Sequence, residues 1–372
     1  YVSTSSANGG GEVLIGGNYL GRGPEPNASA TVILEGAEIT ADALESGDGG
    51  RVIVWSDDYT NFNGSISAKG SNTGLGGFVE TSSKDNLQVF GDVDTSGGIE
   101  SGTWLLDPSN VTITASTNEH FGSNFSANVF EPDDLDAKLS VSAINTSLSN
   151  NSRVIITTNN LGSGSEVGTI KINAEIDYTG STGKTISFTA AEDIEVNADI
   201  KATGSGKLNV RLNAEGDVTI GSDANTGVDV LTNGGYFRVG GGHPNGEAVE
   251  VTLSTGAGSF TSHDTSTIVT TGGNNVDGGY VEISTAVRNP SSANTTADII
   301  IEGDITTSGG TSTSGAGTNA GSVSLEARNT GVITIKTGAD IIAKGTDATS
   351  GNGGAGGAVT LNTAGTKITL HD

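Results

Sequence analysis

A short phrase recurs along the chain: a Gly-Gly pair, one variable residue, and then apolar residues two positions apart. Because side chains along a strand alternate between its two faces, this spacing places the apolar residues on one buried face. A half-buried strand that returns repeatedly behind a glycine turn is typical of a solenoid, in which each coil covers the next. The copies are Gly10-Gly11 before Val13 and Ile15, Gly49-Gly50 before Val52 and Val54, Gly76-Gly77 before Val79, Gly234-Gly235 before Phe237 and Val239, Gly278-Gly279 before Val281 and Ile283, Ala320-Gly321 before Val323 and Leu325, and Gly356-Gly357 before Val359 and Leu361.

A second, shorter strand precedes many copies of the phrase. Ile66 and Ala68 lead to Gly76-Gly77 in this way, and Ile341 and Ala343 lead to Gly356-Gly357. The connecting loops are rich in Gly, Asn, Ser, Thr and Asp, residues that accept the sharp turns at the corners of a coil. Parallel strands joined by crossovers prefer the right hand. The sequence therefore predicts an all-β fold, a right-handed parallel β-helix, with about 20–27 residues in each coil.

One stretch interrupts the repeat. From about residue 116 to residue 152 the glycine pairs vanish, and Leu135, Leu139 and Ala143 lie four residues apart. This is the helical spacing, and a preceding Pro with two Asp residues suits a helix N-terminus, so we predict one short side helix near residues 133–148. The expected organisation is therefore β-helix coils over 1–115, an irregular insertion over 116–152 and further coils over 153–372.

Composition restricts the function. The formal net charge of -26, from 43 acidic and 17 basic residues, disfavours binding to nucleic acid or to anionic membrane surfaces. The chain has no Cys and no apolar run of the length that a membrane-spanning helix needs, so we expect neither thiol chemistry nor membrane insertion. It opens without a signal peptide. We therefore expect it to be a segment of a longer protein or a processed product.

The first third of the chain resembles a known family. Several stretches between residues 10 and 115 occur here in the order in which they occur in large bacterial exoproteins of the filamentous-haemagglutinin and high-molecular-weight-adhesin type. These stretches are GGNYLG at 16–21, GPEPNA at 23–28, ADA at 41–43 with GGRVIVWSD at 49–57, GSISAKG at 64–70, GGFVETS at 76–82 and WLLDPSNVTI at 104–113.

The resemblance implies a function. Members of the family are β-helix adhesins that reach the cell surface or the medium through two-partner secretion, by way of a dedicated outer-membrane transporter. The amino-terminal secretion domain that this transporter recognises is not in the chain, and no adhesive residue of the family can be carried over. The resemblance thus implies an extracellular, surface-exposed adhesive rod that attaches to glycans or proteins of host cells or other surfaces, including those in a biofilm.

Two alternatives stay open. The ends of a β-helix expose unpaired strand edges, and such edges recruit further strands, so the chain could be the subunit of an extracellular filament or matrix fibre that binds itself head to tail. Some β-helices are polysaccharide-acting enzymes, whose sites need carboxylates that converge on one face. The densest acidic doublets here are Asp57-Asp58 and Asp133-Asp134. Adjacent strand residues face opposite ways, so we expect no catalytic pair and no enzyme.

The sequence also bears on cofactors and modification. The His residues are scattered and the calcium-binding repeat of acidic β-rolls is incomplete, so we expect no cofactor and at most weak binding of Ca²⁺. Trp55 follows Val52 and Val54 on the opposite parity, so it is a candidate for outward stacking on a sugar, with packing against a neighbouring loop as the alternative. Asn-x-Ser/Thr triplets, about as frequent as chance gives in such a composition, provide candidate glycosylation sites at Asn27, Asn63, Asn110, Asn124, Asn145, Asn150 and Asn294.

Overall fold

The structure, a computed structural model, is built almost entirely of short parallel strands. It describes residues 1–115, 137–158, 168–222, 227–240, 258–286, 297–365 and 367–371. The chain divides into two compact units, Tyr1–Ala174 and Glu175–Asp372. The three-part organisation expected from the sequence stays a prediction.

Unit 1 contains fifteen of the described strands, one 3-10 turn at Tyr19–Gly21 and one α-helix, α1, at Val141–Ser149. The strands are β1 (Val2–Ser3), β2 (Glu12–Ile15), β3 (Ala30–Ile33), β4 (Glu38–Thr40), β5 (Arg51–Val54), β6 (Tyr59–Phe62), β7 (Ser65–Ser67), β8 (Phe78–Thr81), β9 (Asn86–Val89), β10 (Asp92–Asp94), β11 (Thr103–Leu106), β12 (Val111–Thr114), β13 (Lys138–Ser140), β14 (Arg153–Thr157) and β15 (Ile170–Ile172).

These strands pair in three groups, which we call S1, S2 and S3 of unit 1. The order is β1-β4-β7-β10 in S1, β2-β5-β8-β11-β14 in S2 and β3-β6-β9-β13-β12-β15 in S3. Apart from β12 and β13, which both belong to S3, consecutive strands of the chain fall in different groups. Each strand pairs with a parallel strand of a neighbouring coil. That connectivity, with parallel pairing in all three groups, is a parallel β-helix.

Unit 2 repeats the arrangement. Its strands are β16 (Ile176–Tyr178), β17 (Lys184–Ala190), β18 (Ile194–Val196), β19 (Ile200–Ala202), β20 (Leu208–Ala214), β21 (Val218–Ile220), β22 (Asp229–Leu231), β23 (Phe237–Val239), β24 (Phe260–Ser262), β25 (Thr267–Val269), β26 (Val281–Thr285), β27 (Ile299–Ile301), β28 (Asp304–Thr306), β29 (Val323–Ala327), β30 (Ile333–Ile335), β31 (Ile341–Ile342), β32 (Val359–Thr363) and β33 (Ile368–Leu370). They pair in the orders β16-β19-β22-β25-β28-β31 (S1 of unit 2), β17-β20-β23-β26-β29-β32 (S2) and β18-β21-β24-β27-β30-β33 (S3).

The repeated Gly-Gly phrase marks one group of strands. Every copy of the phrase leads into a strand of S2: β2, β5 and β8 in unit 1, and β23, β26, β29 and β32 in unit 2. The inward apolar residues of S2 stack in register from coil to coil, as in the series Val210, Phe237, Val281 and Val323 of unit 2. All four are at most 1% exposed, so they form the narrow core of the coils.

The glycine pairs are required by close contact between neighbouring coils. A Cβ atom placed on Gly279 would overlap the carbonyl oxygen of Gly235, and one placed on Gly321 would overlap the carbonyl oxygen of Gly279. In unit 1 the Arg51 N–H donates to the carbonyl of Gly11 (2.9 Å), which holds the two corners together. Glycine is therefore needed because any side chain would push the coils apart.

Carboxylates at other corners bond to the next coil. The Oδ1 atom of Asp193 accepts from the N–H of Asp217, and Oδ1 of Asp217 accepts from the N–H of Ser259 (both 2.7 Å). Oδ1 of Asp298 accepts from the N–H of Val332 (2.9 Å). These bonds satisfy backbone donors where the strand ladder is interrupted. Part of the acidic composition thus serves the fold as well as solubility.

The insertion differs in detail from the sequence expectation. One short helix is present, as predicted, but residues 138–140 form strand β13 and the helix begins at Val141. The spacing of Leu139 and Ala143 is helical by coincidence, because Leu139 is a fully buried strand residue that pairs with Val89 and Ile113. Residues 133–136 lie outside the described residues. Strand β13 pairs with β9 on one side and with β12 on the other, so the order of the strands in S3 differs from their order in the chain.

Helix α1 covers the edge of strand β10. Its Ala143, Ile144 and Leu148 are buried. The N–H of Val93 donates to Oγ of Ser147 (3.0 Å), and the N–H of Thr95 donates to Oγ of Ser152 just beyond the helix (3.0 Å). Serine hydroxyls therefore replace backbone acceptors of a further strand at these two N–H groups, and the helix covers the β10 edge of S1 in unit 1.

The sequence-based fold class is confirmed: the chain is an all-β parallel β-helix with one short helix. The expected coil length is right for some coils and too short for others. The chain takes 24 residues to return from Thr185 to Asn209 but 44 to return from Arg238 to Glu282, because the loops differ in length. In the described part of the chain, no helix has the length and apolarity needed to cross a membrane.

The contact between glycines gives a direct prediction. Gly279→Ala should lower the free energy of unfolding by about 1–3 kcal/mol, because its methyl group forces the coils apart. Chemical denaturation followed by circular dichroism measures the change. Gly183→Ala is the matched control, since a Cβ at Gly183 meets nothing within 4 Å. Equal stability of the two variants would contradict the proposed role of the glycine pairs.

Candidate functional surfaces

The loop between β2 and β3 covers the outer face of S2 in unit 1. The ring of Tyr19 packs edge-on against Phe78, with ring centroids 5.8 Å apart, and the Arg51 guanidinium lies 5.4 Å from the Tyr19 ring centroid. Leu20 has a left-handed backbone conformation (φ 53°), and its N–H points at the carboxylate of Glu80 (3.2 Å to each oxygen). The segment GGNYLG at residues 16–21 thus packs over the outer face of its own β-helix.

Trp55 lies beneath this loop. Its side chain is 4% exposed, and the indole Nε1–H donates to Oδ1 of Asp57 (3.4 Å). The indole lies against Gly17 and Gly21, where Cβ atoms would come within 2.6 Å of its ring. The expectation that Trp55 stacks on a sugar at the surface is therefore wrong, because the loop occupies its outer side. The alternative, packing against a neighbouring loop, is the arrangement in the structure.

Glu80 is a buried carboxyl under the same loop. It lies on β8, and its side chain is fully buried. Desolvation by burial raises its pKa to about 8, with the nearby Asp107 adding to the shift, whereas the Leu20 N–H and Arg51 favour the charged form. The folded protein therefore keeps the proton on this carboxyl to a higher pH than an exposed glutamate would.

The two carboxylates of the acidic doublet at residues 57 and 58 have different surroundings. The Asp57 carboxylate accepts from Nδ2 of Asn27 (2.9 Å) as well as from Trp55, so it holds the loop in place. Asp58 is exposed. The second doublet, Asp133-Asp134, lies outside the described residues.

The candidate glycosylation residues have different surroundings. Nδ2 of Asn27 donates to Gly21 and Asp57, and Oδ1 of Asn110 accepts from the N–H groups of Gly168 and Thr169 (2.7 and 2.8 Å). The amides of Asn27 and Asn110 are thus part of the folded structure. Asn63, Asn145 and Asn150 are half-buried and remain candidates. Asn124 and Asn294 lie outside the described residues.

The acidic and histidine side chains do not converge on a metal site in the described part of the chain. Among these residues, no group of three or more His, Asp or Glu side chains is placed to hold a metal ion. His263 instead lies 3.7 Å from the carboxylate of Glu302, which also pairs with Lys336 (3.4 Å).

A stack of flat side chains lies on the outer face of S2 in unit 2. The rings of Tyr236 and Tyr280 are nearly parallel (16°), with centroids 5.0 Å apart. The guanidinium of Arg211 lies 5.5 Å from the Tyr236 ring centroid, so three flat groups form one series. Tyr280 is 37% exposed, and its partial burial raises the pKa of its hydroxyl, which is therefore neutral at physiological pH.

Charged side chains accompany this stack. Nη2 of Arg238 pairs with Oε1 of Glu282 (3.2 Å), two residues along the strands from Tyr236 and Tyr280. Nη2 of Arg328 pairs with Oε2 of Glu326 (2.8 Å), and this bond lowers the pKa of Glu326. The surface therefore combines an aromatic face with paired charges.

Sequence reasoning missed this surface, although a signal was present. Tyr236 and Tyr280 occupy the variable position directly after the Gly-Gly pair. In the structure this position forms an outward column, because Phe237 pairs with Val281 and the preceding residues are therefore neighbours. The same position holds Glu12 and Arg51 in unit 1, which form an ion pair (3.0 Å). Residues at the variable position of two neighbouring copies can therefore be predicted to contact each other.

No protein-family profile matches the chain, and no curated protein is significantly similar to it.

Glu80 gives a prediction for pH dependence. Its pKa is raised from 4.5 to about 8 in the folded protein, so between these values the folded chain keeps a proton that the unfolded chain has lost. The free energy of unfolding should therefore fall with rising pH across this window, by up to about 1.4 kcal/mol per pH unit from this group. Glu80→Gln removes the titration, so the variant should gain stability relative to the natural chain from pH 5 to pH 8.

Urea denaturation at a series of pH values measures this difference. Glu45→Gln, at an exposed position, is the control and should follow the natural chain at every pH. If the curves of the Glu80→Gln variant and the natural chain stay parallel from pH 5 to pH 8, the burial of a protonated Glu80 is contradicted.

Proposed function

We propose that this chain is the adhesive part of a secreted bacterial exoprotein, exposed at the cell surface, which attaches to glycans or proteins of host cells or other surfaces. The observation that carries the proposal is the ordered outward face of the β-helix. In register, Arg211, Arg238, Glu282, Ser324 and Thr360 form one outward column of S2 in unit 2.

Such columns suit adhesion for a physical reason. The backbone ladder fixes the spacing of outward side chains, so the backbone does not have to be ordered when the repeated contacts form. Several weak contacts on one scaffold combine into strong attachment when they engage together. The resemblance of residues 10–115 to two-partner-secretion exoproteins supports the extracellular location and a transporter partner for the full-length protein. The net charge of -26 disfavours nucleic acid as a ligand.

A catalytic role has less support. The Asp57 carboxylate is engaged in the hydrogen bonds that hold the loop over Trp55, and Asp58 is exposed to solvent. Neither observation supports a pair of carboxylates that converge on one sugar ring, as polysaccharide hydrolysis needs.

A second candidate is self-association through the ends of the β-helix. Val359, Ile368 and Leu370 of β32 and β33 are exposed (47%, 41% and 66%), although they are in register with the buried Val323, Ile333 and Ile335. Further parallel strands, of the same polypeptide or of a second copy, would cover these apolar side chains. Sedimentation over a range of concentrations separates the candidates, because a filament subunit grows with concentration and an adhesive segment does not.

The adhesive function predicts attachment that depends on the folded coils. Fluorescently labelled protein should bind saturably to epithelial cells or to surfaces coated with glycans or matrix proteins. Val281→Asp places a charge in the core, where a buried unpaired charge costs several kcal/mol, and should abolish attachment. Thr334→Asp adds the same charge at an outward position of S3 in unit 2, between the buried Ile333 and Ile335, and should keep the fold.

The absence of saturable attachment to any of these surfaces would contradict the adhesive function. Equal attachment by the natural chain and by a Val281→Asp variant that circular dichroism shows to be unfolded would contradict it as well.

A further inference from the structure

We propose that the outer face of S2 around Tyr280 is a binding site for a neutral carbohydrate, in which a pyranose ring stacks on the Tyr280 ring. The inference deepens the adhesive function proposed above and rests on it for its biological role.

The spacing of the stacked side chains matches the spacing of the coils. Arg211, Tyr236 and Tyr280 lie on successive coils, and their flat groups succeed one another at 5.5 and 5.0 Å. Tyr236 and Tyr280 are register neighbours, and their separation is close to the spacing of about 4.8 Å between neighbouring strands, so the backbone ladder sets the stack of the two rings. Arg211 is in register with Arg238 and reaches the Tyr236 ring diagonally, from two residues along the neighbouring strand. A further flat group can join such a series at the same interval.

Small residues come after Tyr280 in the same outward column. They are Ser322 and Ala358, because Val281 pairs with Val323, and Val323 with Val359. Both are exposed. Within the described residues, the Tyr280 ring stacks on no ring but that of Tyr236. The stack of rings therefore ends at Tyr280, and the next residues in the column are small. They leave room beside the Tyr280 ring for one further flat group, such as a sugar ring.

The chemistry around the Tyr280 ring suits a sugar. A pyranose has an apolar face of C–H groups and an edge of hydroxyl groups, and aromatic side chains with a polar tip suit such ligands. Glu282 lies two residues from Tyr280 on the same outward face, with its side chain 38% exposed, and Ser324 is its neighbour on the next coil. A carboxylate accepts hydrogen bonds from sugar hydroxyls, and the serine hydroxyl can donate or accept.

Charge selects among carbohydrates. Glu282 and Glu326 on this face are each paired with an arginine, so the selection against an acidic sugar rests on the net charge of -26 of the whole chain. This charge repels an acidic sugar at long range but does not repel a neutral hexose or an N-acetylhexosamine. Tyr236, stacked against Tyr280, also fixes the Tyr280 ring before binding, which reduces the entropic cost.

Saturation-transfer-difference NMR tests the site on the intact protein. The probes are the methyl glycosides of glucose, galactose, mannose and N-acetylglucosamine, with glucuronate as the acidic comparison. We expect transfer to the C–H protons of one face of at least one neutral glycoside, and less transfer to glucuronate. Tyr280→Ala should weaken binding by about tenfold or more, whereas Tyr280→Trp should retain it.

The controls separate the site from the fold. Tyr1→Ala removes a tyrosine that is 83% exposed elsewhere and should leave binding unchanged. The thermal midpoint of the Tyr280→Ala variant, measured by circular dichroism, should stay within a few degrees of that of the natural chain, because Tyr280 lies outside the core. Absence of transfer to all four neutral glycosides, or equal binding by the natural chain and a folded Tyr280→Ala variant, would overturn the proposal.

Attachment assays keep this proposal distinct from the adhesive function. If Tyr280→Ala binds no sugar but attaches to cells as well as the natural chain does, the adhesive function stands and its contact lies elsewhere, which overturns the role of this site. If the natural chain binds sugar through Tyr280 but attaches to no surface, the site stands and the adhesive function fails.

Discussion

The close parallel stacking of one coil on the next is the constraint on which the structure depends. At the entry to S2 the backbones approach so closely that a side chain on Gly279 would overlap the carbonyl of Gly235. In return, the coils form a continuous ladder of backbone hydrogen bonds and a core in which Val210, Phe237 and Val281 lie in register. A short strand that could not bury its apolar face alone is stabilised by its neighbours on both sides. Core, corners and outer faces therefore all depend on one geometric rule.

The rule also determines where the chain can vary. Inward residues must stay apolar and the glycine pairs must stay small, whereas outward residues and loops are free to differ. The loop at residues 16–28, for example, covers Trp55 and Glu80. The coil that leads from Arg238 to Glu282 takes 44 residues because its loops are long. Function in such a fold is expected on outward positions, because they can change without loss of the core. Tyr280 and Glu282 are positions of this kind.

Much of the fold could be predicted from the sequence, and the physical reason is its periodicity. The alternation of apolar and polar residues, as in Val281 and Ile283 with Glu282 between them, predicts which side chains of a strand face the core. The Gly-Gly pairs mark the strands of S2. Contacts between distant segments could not be predicted. Leu139 has helical spacing but enters β13, because its partners Val89 and Ile113 are far away in the chain. Trp55 and Glu80 have outward parity but are buried, because a loop from another coil lies over them. Predicting the stack of Tyr236 and Tyr280 requires the register between the two coils. Aligning the sequence on its Gly-Gly pairs gives this register, because both tyrosines follow such a pair directly.

The register between coils can be measured directly, since the chain has no Cys of its own. Paired cysteines introduced by Ser324→Cys and Thr360→Cys should form an intramolecular disulfide under mild oxidation, because these outward residues are direct neighbours on β29 and β32. The pair Ser324→Cys and Asn362→Cys, offset by two residues, should form it far more slowly. Mass spectrometry of the oxidised monomer distinguishes the two. Selective linkage of residues 324 and 360 is the result that parallel stacked coils require, and equal linkage of both pairs would contradict the structure described here.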